Sequence, residues 1–442
     1  MTPGFPPIPL RPGAPSARPA DARVLLVENS RMFSEVLATA LRERLGVEVV
    51  TAGSLAQARR ALAEQGPFFL VLTGLVLADG DQSAVVETFV GQGLPTVIVT
   101  GVFDEAVRQR LLGRSIVDYV LKDTPGAVDY LVWLVQRLER NRRITALVVD
   151  DSPSARQLAG ALLGLYGFHV RAAASGAEAL AALARDPSIR LVIADYEMPG
   201  MSGIEFLRRL RTRRARDSVA VIGVSGSNHS SLVAEFLKSG ANDFLHKPFS
   251  REEFFCRISQ NVDSLELIGS LQDLATRDFL TGLANRRHLF ERGGALIQEA
   301  RQRGEPVALA MLDIDFFKRV NDGYGHDCGD MVIRAVAEAV DGHARAGDVA
   351  ARFGGEEFCV LAPGLEGELA EIFFDALRAR IEALALRFEE HEVAVTISVG
   401  VVTATRGTLN EMLLEADRRL YLAKAAGRNR VVAAGASDEA AA

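Results

Sequence analysis

Short apolar runs alternate with amphipathic stretches along residues 22 to 141, and this alternation predicts an α/β fold. Val24 to Val27 form an apolar run of strand length, Phe33 to Leu45 repeat apolar residues at helical spacing, and Val47 to Thr51 are again strand-like. Strands that alternate with helices are typical of a parallel sheet with helices on both faces. The pattern therefore predicts a doubly wound parallel sheet in this part of the chain.

The same pattern begins again at Thr145 and continues to about residue 260. Its first strand is predicted over Ala146 to Val149, roughly 120 residues after the matching strand of the first copy. We therefore predict a duplicated α/β domain, with copies at residues 22–141 and 144–262.

A third domain is predicted in the last part of the chain. The apolar run from Val307 to Leu312 is typical of a buried strand, and it ends in Asp313-Ile314-Asp315. Further along, Gly354-Gly355 separates two short runs of strand-forming residues, which indicates a hairpin. The hairpin would hold Glu356 and Glu357 at an open edge of the domain. Carboxylates delivered by two strands suit a magnesium ion that also holds substrate phosphates.

A helical connector is predicted over residues 258–276. Its apolar residues are spaced three or four apart, at Ile258, Val262, Leu265, Ile268, Leu271 and Leu274. This spacing fits the seam of a short coiled coil between two copies of the chain, and it equally fits a helix packed on its own domain.

Composition limits the class of protein. The chain is 48% hydrophobic and 24% charged, as in globular proteins, and its net charge of −7 argues against a nucleic-acid partner. It has no apolar run of about 20 residues and no signal-peptide pattern, so we expect a cytoplasmic protein without a membrane partner. The proline-rich residues 1–21 and the small, polar residues 433–442 predict a disordered leader and a disordered tail.

The second copy carries acidic residues where its predicted strands end. Asp150 and Asp151 follow its first strand, and Asp195 ends the run Leu191 to Asp195. Ligands of such sheets bind at the carboxyl ends of the strands, so these three carboxylates would bind magnesium and leave Asp195 placed to attack a phosphoryl group. Ser225 and Lys247 lie at later strand ends.

These residues resemble the receiver domain of two-component response regulators over residues 144–262. The resemblance implies that Asp195 is the phosphoacceptor and that Asp150, Asp151 and Asp195 surround the magnesium ion. It also implies that Ser225 and Lys247 contact the phosphoryl group, and that Phe244 takes the place of the aromatic switch residue. The implied partner is a histidine kinase or a phosphotransfer protein.

The first copy departs from this pattern at the residues that matter most. Its first strand ends in Glu28-Asn29, and Gly74 stands where the phosphoacceptor should be. We therefore predict a degenerate receiver that serves dimerisation or partner binding. Its last helix, Val128 to Leu138, either supplies an interface or packs on its own sheet.

The third domain resembles the GGDEF family of diguanylate cyclases, in the GGEEF spelling, over residues 270–432. Several motifs match in order: Arg277-Asp278-Phe279-Leu280-Thr281-Gly282-Leu283, Asn285-Arg286-Arg287, Asp313-Ile314-Asp315-Phe316-Phe317-Lys318, Asn321-Asp322-Gly323-Tyr324-Gly325-His326, Gly329-Asp330, Arg352-Phe353-Gly354-Gly355-Glu356-Glu357-Phe358, and the segment from Asp417 to Asn429. The resemblance implies a nucleotidyl-cyclase-like palm with an antiparallel-centred sheet, one bound GTP per domain, and a dimer that forms cyclic di-GMP.

The resemblance also assigns roles to residues. Asp313 and Glu356 would bind Mg²⁺ with the carbonyl of Ile314, Glu356 would accept the 3′-hydroxyl proton, and Glu357 would share the metal role. Lys318 would offset charge on the reacting phosphates, and Lys424 with Arg428 would bind the terminal ones. Asn321 and Asp330 would read guanine, whereas His326 has either a ligand role or a fold role. Asp315 is expected to cap the following helix, and Asp278 and Asn285 are expected to be structural.

Two arginine-containing segments have a functional and a structural interpretation each. Arg345 and Asp348 stand where the family places an inhibitory site for cyclic di-GMP, although such a pair also forms surface salt bridges. The arginines between residues 208 and 216 fit a phosphate clamp less well than a solvated helix end.

Together these features predict a phosphorylation-regulated, product-inhibited diguanylate cyclase that acts as a homodimer. The alternatives are a catalytically silent effector that binds GTP or cyclic di-GMP, and an interaction scaffold that works through its receivers.

Overall fold

The computed structural model describes residues 23–101, 116–226, 230–404 and 406–433. The leader expected at residues 1–21 and almost all of the expected tail, residues 434–442, lie outside this range. The chain divides into two compact units, Met1–Gly269 and Ser270–Ala442.

The first sheet has five parallel strands in the order β2-β1-β3-β4-β5. Its described elements are β1 (Arg23–Val27), α1 (Arg31–Leu45), β2 (Glu48–Ala52), α2 (Leu55–Gln65), β3 (Leu70–Gly74), α3 (Gln82–Val90), β4 (Thr96–Thr100), β5 (Asp118–Leu121) and α4 (Ala127–Asn141). The inner strands β1, β3 and β4 are buried on both faces, as expected for a sheet covered by helices on both sides.

The second sheet repeats this topology, with parallel strands in the order β7-β6-β8-β9-β10. Its elements are β6 (Thr145–Val149), α5 (Pro153–Leu165), β7 (His169–Ala173), α6 (Gly176–Arg185), β8 (Ile189–Asp195), α7 (Gly203–Arg211), β9 (Ala220–Ser225), α8 (Ser230–Lys238), β10 (Asp243–His246) and α9 (Arg251–Thr276). The prediction of two doubly wound parallel sheets is confirmed.

The two sheets of the first unit share one hydrophobic core. Leu131 and Val135 of α4 belong to the same buried cluster as Phe254, Ile258 and Val262 of α9. The helix α4 therefore packs on its own sheet and on the neighbouring domain of the same chain, whereas its use as an interface for dimerisation or partner binding stays a prediction.

The predicted connector is part of a longer helix than expected. It begins at Arg251 rather than at residue 258, because the last helix of the second sheet continues without a break to Thr276. Ile258, Val262 and Leu265 are buried, whereas Ile268, Leu271 and Leu274 are 40%, 56% and 73% exposed. The first half of the apolar stripe packs within its unit, and the second half is accessible.

The second unit is built on a mixed six-stranded sheet, in the order β11-β13-β14-β12-β17-β18. Its elements are β11 (Ala284–Asn285), α10 (Arg286–Arg303), β12 (Val307–Ile314), α11 (Phe317–Tyr324), α12 (His326–Asp341), β13 (Val349–Arg352), β14 (Glu357–Pro363), α13 (Gly367–Glu382), β15 (Leu386–Phe388), β16 (His391–Val393), β17 (Ile397–Ala404), α14 (Leu409–Ala425) and β18 (Val431–Val432). The central strand β12 is antiparallel to β14 and β17, which confirms the antiparallel-centred sheet.

Among the described helices, none combines the length and the apolar character needed to cross a membrane.

Candidate active site and phosphoacceptor site

The Gly-Gly turn lies in a hairpin, as predicted, and Arg352 holds it together. The strands β13 and β14 pair antiparallel, and the N–H groups of Phe353 and Gly354 both donate to the carbonyl of Glu357. The Arg352 guanidinium donates to the carbonyls of Gly354 and Gly355 and to Asp278 Oδ1, at 2.7–3.1 Å. Arg352 thus fixes the turn to the segment around Asp278, which supports a structural role for Asp278.

The two acidic segments meet across neighbouring strands. Asp313 stands opposite Glu357 in the β12–β14 register, and the Ile314 N–H donates to the carbonyl of Glu356 at 3.3 Å. Asp313 is buried, and Lys424 Nζ lies 2.7 Å from its Oδ2. Burial raises the pKa of the Asp313 carboxyl, Lys424 opposes this, and the nearby Glu356 and Glu357 raise it further. The site therefore concentrates negative charge that a cation would offset.

Gly354 lies under the Glu357 side chain. A Cβ atom on Gly354 would lie 2.5 Å from Glu357 Oε2, well inside van der Waals contact. The absence of a side chain at this position therefore leaves room for Glu357 to fold back over the turn.

The expectation that Asp315 caps the following helix is wrong. The residue that precedes α11 is Phe316, in a left-handed conformation with φ 56°. The Asp315 carboxylate instead accepts hydrogen bonds from the hydroxyls of Thr396 and Ser398 and from the N–H of Asn429, at 2.7–3.0 Å. Asp315 joins β12, β17 and the loop after α14.

The residues expected to bind the nucleotide lie on α11, α12 and α14 and in the loop after α14. Lys318 is exposed on α11, Arg428 is half-buried in the loop after α14, and His326 is exposed at the start of α12. Asn321 and Asp330 are half-buried on adjoining helices, and Asn321 Oδ1 lies over Gly329, directly before Asp330. Asn285 is the N-cap of α10 through a bond from the His288 N–H, which supports its structural role.

Arg345 and Asp348 form a pair within one turn. The guanidinium donates to both carboxylate oxygens of Asp348, at 2.9 and 3.1 Å, and also to the carbonyl of Pro363. The Asp348 side chain is 2% exposed and that of Arg345 is 41% exposed. The aspartate thus orients the arginine, which presents its outer side to solvent.

In the second receiver sheet, the predicted acidic residues come together. Ligand oxygens of Asp150, Asp151 and Asp195 all lie within 4.8 Å of one another. Lys247 Nζ bridges Asp150 Oδ2 at 2.8 Å and Asp195 Oδ1 at 2.7 Å. Burial disfavours its charged form, but the two carboxylates outweigh this and hold the pKa of Lys247 above its usual range.

The remaining predicted receiver residues flank this cluster. Ser225 is buried at the end of β9, and its carbonyl accepts from the Lys247 N–H at 2.8 Å. Phe244 is 5% exposed and packs edge-on against Phe236 and His246. The aromatic ring is thus turned into the core.

The first sheet holds a different arrangement at the same strand ends. Lys122 Nζ lies 2.6 Å from Glu28 Oε2, and the Glu28 side chain is 1% exposed. Gly74 ends β3 as Asp195 ends β8, which matches its predicted place. A Cβ atom on Gly74 would lie 3.2 Å from Glu28 Oε2, so Glu28 extends toward the space an acceptor side chain would need.

The arginine-rich segment serves the fold. Arg211 donates to the carbonyls of Gly240 and Ala215, Arg214 to that of Leu183, and Arg216 to that of Ala241. These bonds hold the end of α7 against its neighbours, so the structural interpretation of this segment is the better one.

Comparisons with known proteins match this geometry. The family described as "Diguanylate cyclase, GGDEF domain" matches residues 275–430, and "Response regulator receiver domain" matches residues 146–259. A solved structure of a two-component system response regulator/GGDEF domain protein is 39% identical, with a TM-score of 0.51, over 56% of this chain and all of that chain. The chain belongs to the GGDEF family.

Curated relatives match different lengths of this chain. The response regulator PleD of Caulobacter vibrioides is 34% identical over 299 residues, which cover 65% of this chain and 65% of PleD. The diguanylate cyclase DgcP of Pseudomonas aeruginosa is 40% identical over 158 residues, or 36% of this chain and 24% of DgcP. The match thus spans less than two thirds of either relative.

The GGDEF family fold implies a divalent metal, and the residues present fit one. In the receiver, three clustered carboxylates face a single lysine charge, which leaves an excess of negative charge for a hard cation. In the GGDEF domain, the negative charges of Glu356 and Glu357 raise the pKa of Asp313, although Lys424 neutralises part of the charge. Both places offer the oxygen donors that Mg²⁺ prefers.

Sequence patterns missed two residues of the GGDEF site. Arg352 precedes the Gly-Gly turn but carries no obvious chemistry, and its contact with Asp278 spans 74 residues. Phe316 directly follows the acidic motif that ends at Asp315. The centre of its ring lies 4.4 Å from the Arg428 guanidinium and 4.5 Å from that of Arg319. An exposed aromatic residue directly after the acidic motif was the available signal.

Proposed function

We propose that the protein is a diguanylate cyclase whose activity depends on phosphorylation of Asp195. The observation that carries the proposal is the pairing of the GGEEF hairpin with Asp313: two antiparallel strands bring Glu357 opposite a buried aspartate, with Glu356 beside it. Few other chemistries need this set of carboxylates next to lysine and arginine residues suited to phosphates.

The proposed reaction joins two GTP molecules. The 3′-hydroxyl of each GTP attacks the α-phosphate of the other, a P–O bond forms, the bond to the β-phosphate breaks, and pyrophosphate leaves twice. Glu356 accepts the proton of the attacking hydroxyl. Lys318 offsets charge on the reacting phosphate, and Lys424 and Arg428 bind the terminal phosphates with charge-assisted hydrogen bonds.

Asp313, Glu356, Glu357 and the carbonyl of Ile314 are the residues that would hold Mg²⁺ in the cyclase, and Asp150, Asp151 and Asp195 those in the receiver. When bound, Mg²⁺ neutralises phosphate charge in both reactions. The Lys424–Asp313 bond of 2.7 Å must loosen as the site fills, which frees the lysine for a phosphate.

Asn321 and Asp330 would select guanine. The aspartate accepts from the N1 and N2 hydrogens of the base, and the amide both donates and accepts. Adenine lacks that donor pair, so ATP would leave the buried side of Asp330 without a partner. His326 adjoins this pair and remains either a ligand or a structural residue.

A homodimer follows from the chemistry, because each domain binds one GTP and the product contains two. The exposed half of the apolar stripe on α9, at Ile268, Leu271 and Leu274, offers a surface for pairing with a second copy. Its spacing supports the coiled-coil interpretation for this half of the helix.

The receiver of residues 144–262 would control the cyclase. A histidine kinase or phosphotransfer protein supplies the phosphoryl group to Asp195, which becomes bonded to phosphorus as the donor leaves. Lys247 and Ser225 then contact the phosphoryl oxygens, and Phe244 serves as the aromatic switch. Residues 22–141 form a degenerate receiver, because Gly74 offers no carboxylate.

Product inhibition would act at Arg345 and Asp348. The arginine is oriented by the aspartate and is partly exposed, so its remaining donors suit the phosphates and base edges of cyclic di-GMP.

The deciding experiment incubates purified full-length protein with GTP and Mg²⁺, with and without beryllofluoride, and separates products by chromatography. We expect cyclic di-GMP in the wild type, a higher rate with beryllofluoride, and no response to beryllofluoride in Asp195→Asn. Glu356→Gln should abolish product while the folded protein persists. Folded wild type that makes no product but binds cyclic di-GMP would refute the cyclase and favour the effector.

A further inference from the structure

The loop after α14 holds three consecutive residues in the left-handed backbone region. They are Gly427, Arg428 and Asn429, with φ values of 112°, 67° and 45°. Two of them carry side chains, whose Cβ atoms crowd the following carbonyl in this conformation. Residues held in this way persist only where their surroundings fix them, and they concentrate at functional sites.

Asp315 fixes this loop from inside the domain. It is 5% exposed, and its Oδ2 accepts from the Asn429 N–H at 3.0 Å. Its remaining bonds, from the hydroxyls of Thr396 and Ser398, tie the same carboxylate to β17 and the residue before it. An N–H bond to a buried carboxylate is charge-assisted and therefore strong enough to hold a strained backbone.

The Asn429 side chain fixes the loop from the other side. Its Oδ1 accepts from Arg378 Nη1 at 2.9 Å, and its Nδ2 donates to Glu382 at 2.7 Å, both on α13. The backbone that carries Arg428 is thus held by two separate elements of the domain.

Phe316 fixes the other end of Arg428. The guanidinium carbon lies 4.4 Å from the centroid of the Phe316 ring, and that of Arg319 lies 4.5 Å from the same centroid. The ring is 48% exposed and follows Asp315 directly. Two guanidinium groups on one ring repel each other, and an anion beside them relieves that repulsion.

We propose that Asp315 and Phe316 are positioning residues for Arg428, which they aim at the terminal phosphates of the bound nucleoside triphosphate. Asp315 fixes the backbone of the loop, and Phe316 fixes the position of the Arg428 guanidinium. The conformational entropy of the arginine is therefore already reduced before the nucleotide binds, and binding costs less. The inference rests on the proposed function insofar as the nucleotide is GTP.

The first test measures equilibrium binding of a non-hydrolysable GTP analogue and of GMP to the full chain. Phe316→Leu should weaken binding of the analogue by about fivefold, the value of one exposed cation–π contact. The affinity for GMP should not change. Phe316→Tyr keeps the ring and should restore the affinity. Phe33→Leu, in the first receiver, is the matched control, since Phe33 also carries a cation–π contact, with Lys122 at 5.4 Å.

A double-mutant cycle shows whether Phe316 acts through Arg428. In an Arg428→Met background, Phe316→Leu should have no further effect on analogue binding. Asp315→Asn should likewise lower the preference for the analogue over GMP. The inference would be overturned if a variant lost equal affinity for GMP and for the analogue, or if Phe316→Leu lost the same affinity with and without Arg428. A wild-type protein that makes no cyclic di-GMP would refute the proposed function instead. The ratio of analogue to GMP affinity would still test the positioning of Arg428 in that case.

Discussion

Gly74 and Glu28 complement each other at the strand ends of the first sheet. In the second sheet, Ser152 N–H and Lys247 both bond Asp150, and Lys247 also reaches Asp195. In the first sheet, Ser30 N–H and Lys122 both bond Glu28, whose extra methylene carries Oε2 to within 3.2 Å of a Cβ on Gly74. The lysine that two carboxylates bind in the second sheet is thus bound by the single, longer Glu28 in the first.

Replacing Gly74 alone should therefore not restore phosphorylation. Gly74→Asp places a second carboxylate against buried Glu28, and we expect it to destabilise the protein by about 1–3 kcal/mol. In an Asp195→Asn background, acetyl phosphate should leave it unlabelled on a phosphate-affinity gel. The combination Glu28→Asp, Asn29→Asp and Gly74→Asp rebuilds the acidic set and is the comparison. Labelling of the single variant would contradict this reading of the site.

A second prediction at the residue scale concerns product inhibition at Arg345. Arg345→Ala should raise the concentration of cyclic di-GMP needed for half-inhibition by at least about tenfold, because a bidentate charged contact is lost. Initial rates measured before product accumulates should stay near wild type. Arg387→Ala, another exposed arginine of the same unit, is the control. Unchanged inhibition in Arg345→Ala would place the inhibitory site elsewhere.

At the scale of elements, the helices α4 and α9 are joined by a buried charged network. Arg137 has a 1% exposed side chain, donates to Asp263 Oδ1 at 2.7 Å, and binds Glu266 through two nitrogens at 2.8 and 3.0 Å. Its Nε donates to Asn141, whose amide donates to the carbonyl of Tyr166. The domain of the first sheet is therefore bonded to α9, the helix that continues into the second unit.

Loss of Arg137 should loosen both helices. Arg137→Met leaves Asp263 and Glu266 without their shared partner, and removing one member of a buried charged network costs about 3 kcal/mol. Hydrogen exchange detected by mass spectrometry should then speed up in residues 127–141 and 251–266. Arg31→Ala breaks an exposed pair with Glu35, at 92% and 66% exposure, and should change exchange little. Wild-type protection in Arg137→Met would show that the apolar core alone holds the helices.

The same elements show what the sequence could and could not predict. The strands β1, β6 and β12 were predictable because each is a short apolar run, and Asp150, Asp195 and Asp313 followed from their places at strand ends. Arg137 was not, because its partners lie 126 and 129 residues further along the chain. Asp315 was misread as a cap for a related reason: its partner Asn429 is 114 residues away, and a helix begins two residues later. Local patterns thus predict strand ends, and contacts between distant segments decide what the side chains there bond.

At the scale of the whole molecule, the accessible half of α9 spans the point in the chain where the first unit ends and the second begins. Leu267, Leu271 and Leu274 lie on one face of the helix and are 54%, 56% and 73% exposed, which is unusual for leucines spaced by one and two turns. Burying such side chains in a paired helix yields roughly 1.5–3 kcal/mol each. A dimer held by this face would need no residue of either catalytic site.

Charges on this face should therefore abolish the reaction without harming nucleotide binding. Leu271→Glu with Leu274→Glu places like charges opposite each other in a paired helix, so sedimentation equilibrium should show weaker self-association, and cyclic di-GMP synthesis should fall by more than about tenfold. Binding of a non-hydrolysable GTP analogue per chain should stay at the wild-type value, because each cyclase domain holds its own nucleotide. Gln272→Glu adds a charge to an exposed position of the same helix, one residue past Leu271 and off this face, and should affect neither measurement. A double variant that remains dimeric and active would move the dimer contact to another surface, whereas one that is monomeric yet active would remove the requirement for two facing domains.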